Sequence, residues 1–308
     1  MWFKKGLIFN VAGDKFWNQT HAQVPVVDVL EDRLRIFYST RNSLGQSLIS
    51  FIDVKKNNPS EIIYIHDKPI LDFGKPGTFD DCGLMPTSII TLDDKKYLYY
   101  IGWTKKKTVP FHNSVGLAIS TDNGQNFIKF SEGPIITTNY IEPYFSGTAF
   151  VMIDNGCFKM WYLSCVKWVE LDNSTEPIYN IKYAESENGI NWIQTGTVAV
   201  ELNEDEGGLV SAAVVKENDK FKMWFGKRKK IDYRINKINS YRIGYAESRN
   251  GIEWDRLDDE TGIDISINGW DSNMISYPYV VYCDDLLLMF YNGNGFGKTG
   301  FGYAIWKE

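Results

Sequence analysis

Residues 179–192 read Tyr179-Asn180-Ile181-Lys182-Tyr183-Ala184-Glu185-Ser186-Glu187-Asn188-Gly189-Ile190-Asn191-Trp192. Roughly 62 residues later the pattern returns as Tyr241-Arg242-Ile243-Gly244-Tyr245-Ala246-Glu247-Ser248-Arg249-Asn250-Gly251-Ile252-Glu253-Trp254, and self-similarity at a fixed period marks a repeat architecture. Each copy reads as a hairpin. The Tyr-x-x-x-Tyr run is rich in β-formers, Asn-Gly supplies a turn that accepts positive φ, and Trp opens the next strand. A weaker copy runs from Val115 to Phe127, and a truncated one, Gly302-Tyr303-Ala304-Ile305-Trp306, ends the chain.

A second marker gives the count. Strands ending in two aromatics recur as Phe37-Tyr38, Tyr99-Tyr100, Trp161-Tyr162, Trp224-Phe225 and Phe290-Tyr291. Their spacing of roughly 62 to 66 residues divides the chain into five units. Each pair follows an apolar run and a polar turn, such as Asp93-Asp94-Lys95 or Glu217-Asn218-Asp219. Each unit therefore reads as four antiparallel strands with no helix of any length. The expected fold is all-β, a five-bladed β-propeller of four-stranded blades, with residues 1–308 forming a single domain. Trp2-Phe3-Lys4-Lys5-Gly6-Leu7-Ile8 resembles the outer strand of a blade, and the C-terminus stops where a third strand would end. The N-terminal strand is therefore expected to close the last blade, beside Gly300 to Trp306.

Composition narrows the class of partner. Aromatics make up 15% of the 308 residues and there are 10 Trp, which suits flat side chains packed between twisted blades. A net charge of −6 offers no basic face for nucleic-acid phosphates. Lys105-Lys106-Lys107 and Lys227-Arg228-Lys229-Lys230 are the basic runs, and the simplest reading of each is a solvated loop. Cys82, Cys157, Cys165 and Cys283 form no CxxC and read as free thiols in a reducing cytoplasm. There is no signal-peptide pattern and no apolar run long enough to span a membrane, so a cytoplasmic protein is expected. Neither paired His/Cys spacing nor an HExxH motif occurs, so no metal and no cofactor is expected.

The units run from about His21, Gly83, Ser146, Leu209 and Met274. Connections between second and third strands read as long loops: Ser39 to Gln46, Gly102 to Ser114, Ser164 to Tyr179 and Gly226 to Tyr241. They share a face with the crossings between blades, and that face is where a binding site is expected. The crossings bring Asp80 and Asp81, Glu142, Glu206 and Asp271 to matched places, with His21 in the first unit. Carboxylates converging on a funnel can split into an acid and a base. The competing explanation is that they cap turns on a polar rim. His21 is open to three roles: a structural hydrogen bond, contact with a sugar hydroxyl or phosphate, or proton transfer or metal binding. The loops add Arg41, Trp103, Lys167, Trp168, Arg228, Tyr233, Asn294 and Lys298; Trp could stack on a sugar ring, and Arg or Lys could hold an anionic group.

The repeat and the acidic ring resemble the five-bladed propeller glycosidases of the arabinanase, invertase and levansucrase superfamily. More closely, His21-Ala22-Gln23-Val24-Pro25, Gly77-Thr78-Phe79-Asp80-Asp81, Gly269-Trp270-Asp271-Ser272 and Gly293-Asn294-Gly295-Phe296-Gly297 look like a bacterial glycosyl-hydrolase-like group. The resemblance implies a base or nucleophile Asp on blade one, a helper Asp on blade two and an acid Glu on blade three. Asp80 or Asp81 matches the second place and Glu142 the third, while blade one departs by offering His21. The expectation is therefore a glycoside hydrolase or related glycosyl-transferring enzyme with Asp80, Glu142 and Asp271 as catalytic groups. His21, Gln23, Asp81, Trp103, Glu206, Arg228 and Asn294 would bind a saccharide or sugar phosphate. The alternative is a non-catalytic saccharide-binding or polysaccharide-assembly protein on the same scaffold.

Overall fold

The computed structural model describes residues 1–171 and 174–307. Twenty strands follow one another: β1 Trp2–Phe9, β2 Thr20–Val29, β3 Arg33–Arg41, β4 Ser47–Lys55, β5 Asn58–Ile65, β6 Gly83–Leu92, β7 Lys95–Lys105, β8 Phe111–Ser120, β9 Ile128–Lys129, β10 Ser146–Asp154, β11 Cys157–Leu171, β12 Ser174–Ser186, β13 Ile193–Val200, β14 Glu206–Glu217, β15 Lys220–Lys229, β16 Arg242–Ser248, β17 Asp255–Arg256, β18 Ser276–Cys283, β19 Leu286–Asn292 and β20 Phe301–Trp306. The fold is almost entirely β. Helix among the described residues is confined to single turns at Asp258–Glu260 and Asn294–Gly297 (α1), and none is long and apolar enough to cross a membrane.

Consecutive strands pair as antiparallel meanders, β2 to β5, β6 to β9, β10 to β13, β14 to β17 and β18 to β20. Two single parallel bridges, Ser47 with Gly83 and Tyr179 with Gly208, join neighbouring meanders into eight-stranded sheets. The first strands touch in a cycle: β2 lies against β6, β6 against β10, β10 against β14, β14 against β18, and β18 against β2. As the sequence leads one to expect, β1 pairs with β20, from Trp2 with Trp306 to Phe9 with Phe301. Trp2 packs edge-on against Trp224 and Trp306, with ring centres 5.4 and 5.3 Å away.

Local chemistry accounts for the turns. In the β6–β7 turn Asp93 and Asp94 have φ of 47° and 60°, and in the β14–β15 turn Asn218 and Asp219 have 49° and 62°. Left-handed backbone at both central positions matches the twist of the flanking strands. After β12, the Ser186 hydroxyl accepts the amides of Asn188 and Gly189, while Asn188 Oδ1 accepts those of Ile190 and Asn191. The same bonds recur after β16 around Ser248 and Asn250. These turns also receive a bond from the preceding meander: Tyr99 donates its hydroxyl to the Gly189 carbonyl at 2.9 Å, and Trp161 donates Nε1–H to that of Gly251 at 2.7 Å. The aromatic marker and the Asn-Gly marker are thus two ends of one contact between neighbouring units.

Two of the expected long loops are extended hairpins instead. β7 and β8 stay paired out to Lys105 and Phe111, and β11 and β12 out to Leu171 and Ser174. Alternating side chains find packing partners along these arms, as Trp168 does against Phe111 and Phe145, so the ladder continues past the sheet body.

Candidate functional site

The first strand of every meander is bulged. Register shifts fall between Gln23 and Val26, Pro86 and Ser88, Ser146 and Ala149, Val210 and Ala213, and Ser276 and Tyr279. At matched places Val24, Ser211 and Tyr277 take φ of 54°, 52° and 51°. Left-handed backbone at a β-branched or aromatic residue is costly, and bulges that re-aim side chains cluster at functional sites. Here they surround a cavity of about 570 Å³ whose floor takes Gln23, Met85, Thr148, Val210 and Tyr277 from all the first strands.

The walls are aromatic and cationic. Trp103, Phe111, Phe145, Tyr179, Tyr233, Tyr241 and Phe296 line them, with Arg41, Lys105, Lys106 and Arg234. Phe296 reaches the wall because α1 is kinked, with Gly295 and Phe296 at φ of 66° and 59°. Tyr179 and Tyr241, the opening residues of the two clearest repeats, share a short hydrogen bond between hydroxyls. Behind them Arg228 is 2% exposed and donates Nε–H to Tyr179 at 2.9 Å, its guanidinium 3.9 Å from the Tyr233 ring centre. Tyr233 donates to Glu176 at 2.6 Å, and Arg234 donates to the same carboxylate at 3.2 Å. Burial, reinforced by neighbouring Tyr179, raises Tyr233 and Tyr241 well above the ordinary phenol range. Burial also lifts Tyr277, to about 12. Burial pulls Arg41 below its ordinary value, Arg234 adds to that and Tyr277 opposes it. No carboxylate among the described residues lines this cavity.

Of the residues expected to bind saccharide, Gln23 and Trp103 are in the lining. Gln23 is 3% exposed, its Nε2 meets the Met85 sulfur, and its Oε1 has no partner. Trp103 donates Nε1–H to Ser47 at 2.8 Å, which leaves its ring facing the cavity. The others lie outside the lining. His21 meets Thr20 Oγ1 through Nδ1 at 2.8 Å. Asp81 accepts the Gly77 amide, and Arg228 supports the wall from behind. Asn294 is occupied by the amides of Asn273 and Met274 and the carbonyl of Gly269.

None of the matched carboxylates lines this cavity. Each is buried inside its own meander and bonded there. Asp80 accepts from Tyr100 at 3.1 Å and Lys129 at 2.6 Å. Glu142 accepts from Tyr162 at 2.6 Å and Ser164 at 2.7 Å, with Lys182 at 3.5 Å. Asp271 accepts from Tyr291 at 3.0 Å and Lys4 at 2.7 Å. Glu206, whose unit has Phe225 in place of the tyrosine, takes both nitrogens of Arg256 at 2.8 and 2.9 Å. A buried carboxylate needs a cation and donors, and these acids find theirs in the crossing, the second strand and an outer or third strand. Asp80, Glu142 and Asp271 each stand 20 residues before their tyrosine. That constant spacing was the signal that could have revealed the pairing. Arg41 and Tyr233, named as loop candidates, are in the lining, whereas Arg234 and Tyr277 carry no such spacing and were missed. Among the described residues no group of three His, Cys, Asp or Glu side chains is placed to hold a metal ion.

No protein-family model matches the chain. Solved structures that share its fold include a glycoside hydrolase with a TM-score of 0.73 and 16% identity, over 98% of this chain and 90% of that one. A thermostable family-43 glycoside hydrolase has a TM-score of 0.71 and 16% identity, over 94% and 91% of the two chains. A structure described under the GH130 family of mannoside phosphorylases, said to contain glycoside hydrolases that target beta-1,2 mannosidic linkages, has a TM-score of 0.68 and 14% identity, over 100% and 94%. At these identities the likeness is one of fold, and that fold is the one of glycoside hydrolase-like propeller enzymes. "Uncharacterized protein MT1551" of Mycobacterium tuberculosis (strain CDC 1551 / Oshkosh) is 35% identical over 306 residues, covering 99% of this chain and 98% of that protein. "Uncharacterized protein Rv1502" of strain ATCC 25618 / H37Rv matches to the same extent. With more than a third of the residues shared along nearly the whole of both sequences, the chain belongs to the family of these two mycobacterial proteins.

Proposed function

We propose that the chain is a five-bladed β-propeller of one domain, and that its central funnel binds a saccharide. The observation that carries this reading is the aromatic cavity at the convergence of the first strands, with the unpaired amide oxygen of Gln23 on its floor. Aromatic walls with a few aimed polar groups are the usual make-up of a small-molecule site. The names of the structural neighbours, which speak of glycoside hydrolases and mannosidic linkages, support a carbohydrate as the ligand class.

Within this reading, binding is favoured over hydrolysis. Glycosidases commonly use two carboxyl groups about 5 Å or roughly 6.5 to 9.5 Å apart across the scissile bond. Asp80, Glu142 and Asp271 are instead read as clamps within blades. Tyr233 with Glu176 is the tyrosine–carboxylate couple of the wall, and burial keeps that phenol protonated rather than poised as a nucleophile. The experiment is a screen of mono- and oligosaccharides by tryptophan fluorescence, alongside aryl glycosides. Saccharide binding that weakens in Trp103→Ala and persists in Glu142→Gln is expected. Glycoside turnover that Glu142→Gln abolishes without loss of stability would instead establish the hydrolase.

A further inference from the structure

The charge around the cavity is unbalanced. Arg41 and Arg234 stand in its lining and Arg228 directly behind it, against one carboxylate, Glu176. Glu176 is committed to Arg234 and Tyr233. Arg228 spends its donors on Tyr179 and on the carbonyls of Pro177 and Lys229. Arg41 is half-buried, and no carboxylate among the described residues pairs with it. Lys105 and Lys106 add to the same lining, and Lys298 acts on His21 beside Arg41. The whole chain nevertheless carries a net charge of −6, so this is a local concentration of positive charge on an acidic protein. A buried guanidinium without a counter-charge is expensive, and such a group persists where something else supplies the charge.

Resting on the saccharide reading, we propose that the ligand carries an anionic group, a carboxylate or a phosphate, seated on Arg41 with the Tyr277 hydroxyl beside it. Arg41 offers a planar fork of donors matched to either anion. Tyr277 is fixed in the wall by its bulge at φ 51°. It stays protonated at neutral pH and so can donate. Gln23 Oε1, a buried acceptor without a partner, faces the same space and suits a sugar hydroxyl next to the anion. Arg234, already shared with Glu176, stands in the same lining, close enough to act on Arg41, and adds to the positive charge that favours an anion over a neutral sugar.

The test is calorimetric titration of the full chain with inorganic phosphate, glucuronate, glucose 1-phosphate and glucose, at low and at raised salt. The charged probes are expected to bind at least about tenfold more tightly than glucose, and the advantage to shrink with salt. Glucuronate against glucose 1-phosphate decides which anion the site prefers. Arg41→Gln is expected to remove the advantage while melting no lower than the parent, because it deletes an uncompensated charge. Tyr277→Phe, which removes one hydroxyl and keeps the ring, should weaken anion binding severalfold and serves if Arg41→Gln does not fold. Anions that bind no better than glucose, or equally well to both variants, overturn the proposal. Glucose binding without an anion advantage defeats this inference alone. Phosphate binding that depends on Arg41 with no saccharide bound upholds the anion site and defeats the saccharide reading.

Discussion

His21 takes its proton late because of what surrounds it. Burial, then Arg41 and Lys298, pull its imidazole from 6.5 down to about 4, with the Gly295 backbone opposing. It is therefore neutral at pH 7. Stability that depends on the neutral ring is fully present above the unfolded value and is lost as pH falls through 6.5 toward 4. A proton NMR titration should place its midpoint near 4, and a midpoint near 6.5 would mean that the ring is neither buried nor close to the cations. Asp271 gives a second test at this scale. Asp271→Ala strips the acceptor from the Tyr291 hydroxyl and the Lys4 ammonium, and should lower stability by about 2–3 kcal/mol in urea unfolding. An unchanged midpoint together with weakened ligand binding would return Asp271 to the site.

The contact between neighbouring units is what the element scale adds. Gly189 sits at φ 70°, and a Cβ there would stand 2.8 Å from the Tyr99 hydroxyl and 2.9 Å from the Phe158 ring. Gly189→Ala should therefore cost about 2 kcal/mol or more, combining left-handed strain with the displaced tyrosine. The check is a lower urea midpoint at unchanged slope; a midpoint equal to the parent's would mean that the turn does not bear on its neighbour. The strands were legible because their signals are local: an Asp-Asp or Asn-Gly pair that accepts positive φ, an aromatic pair, a fixed period. The site was legible only in part. Gln23, Arg41, Trp103 and Tyr233 could be named because they lie at or near the ends of strands that lead to the cavity. Tyr277 reaches it through a bulge and Phe296 through a kinked turn, neither of which leaves a pattern. Matched acids are ambiguous in sequence, because a repeat that would build an acidic funnel can equally build a clamp inside four of the units. The acid-to-tyrosine spacing distinguishes the two, and it acquires meaning only once both are seen to be buried.

Over the whole molecule, the pairing of β1 with β20 ties the two ends of the chain to one sheet. Deleting residues 1–9 would bare the edge of β20, remove the Trp2 contacts with Trp224 and Trp306, and leave Asp271 without Lys4. The truncated protein should melt at a clearly lower temperature and aggregate through the open edge. If it melts with the full chain, the N-terminal strand is an accessory.

That same pairing has a consequence during synthesis. β1 leaves the ribosome long before its partner β20, which follows it by roughly 290 residues. At about 5–20 residues per second, that intervening stretch takes roughly 15–60 s to make, and through that interval the N-terminal strand lacks the strand it pairs with. Its exposed side chains include Phe3 and Leu7, at 46% and 43% even in the finished fold. The nascent protein therefore carries a waiting strand that a chaperone must shield, or that a second nascent copy can capture by exchanging ends.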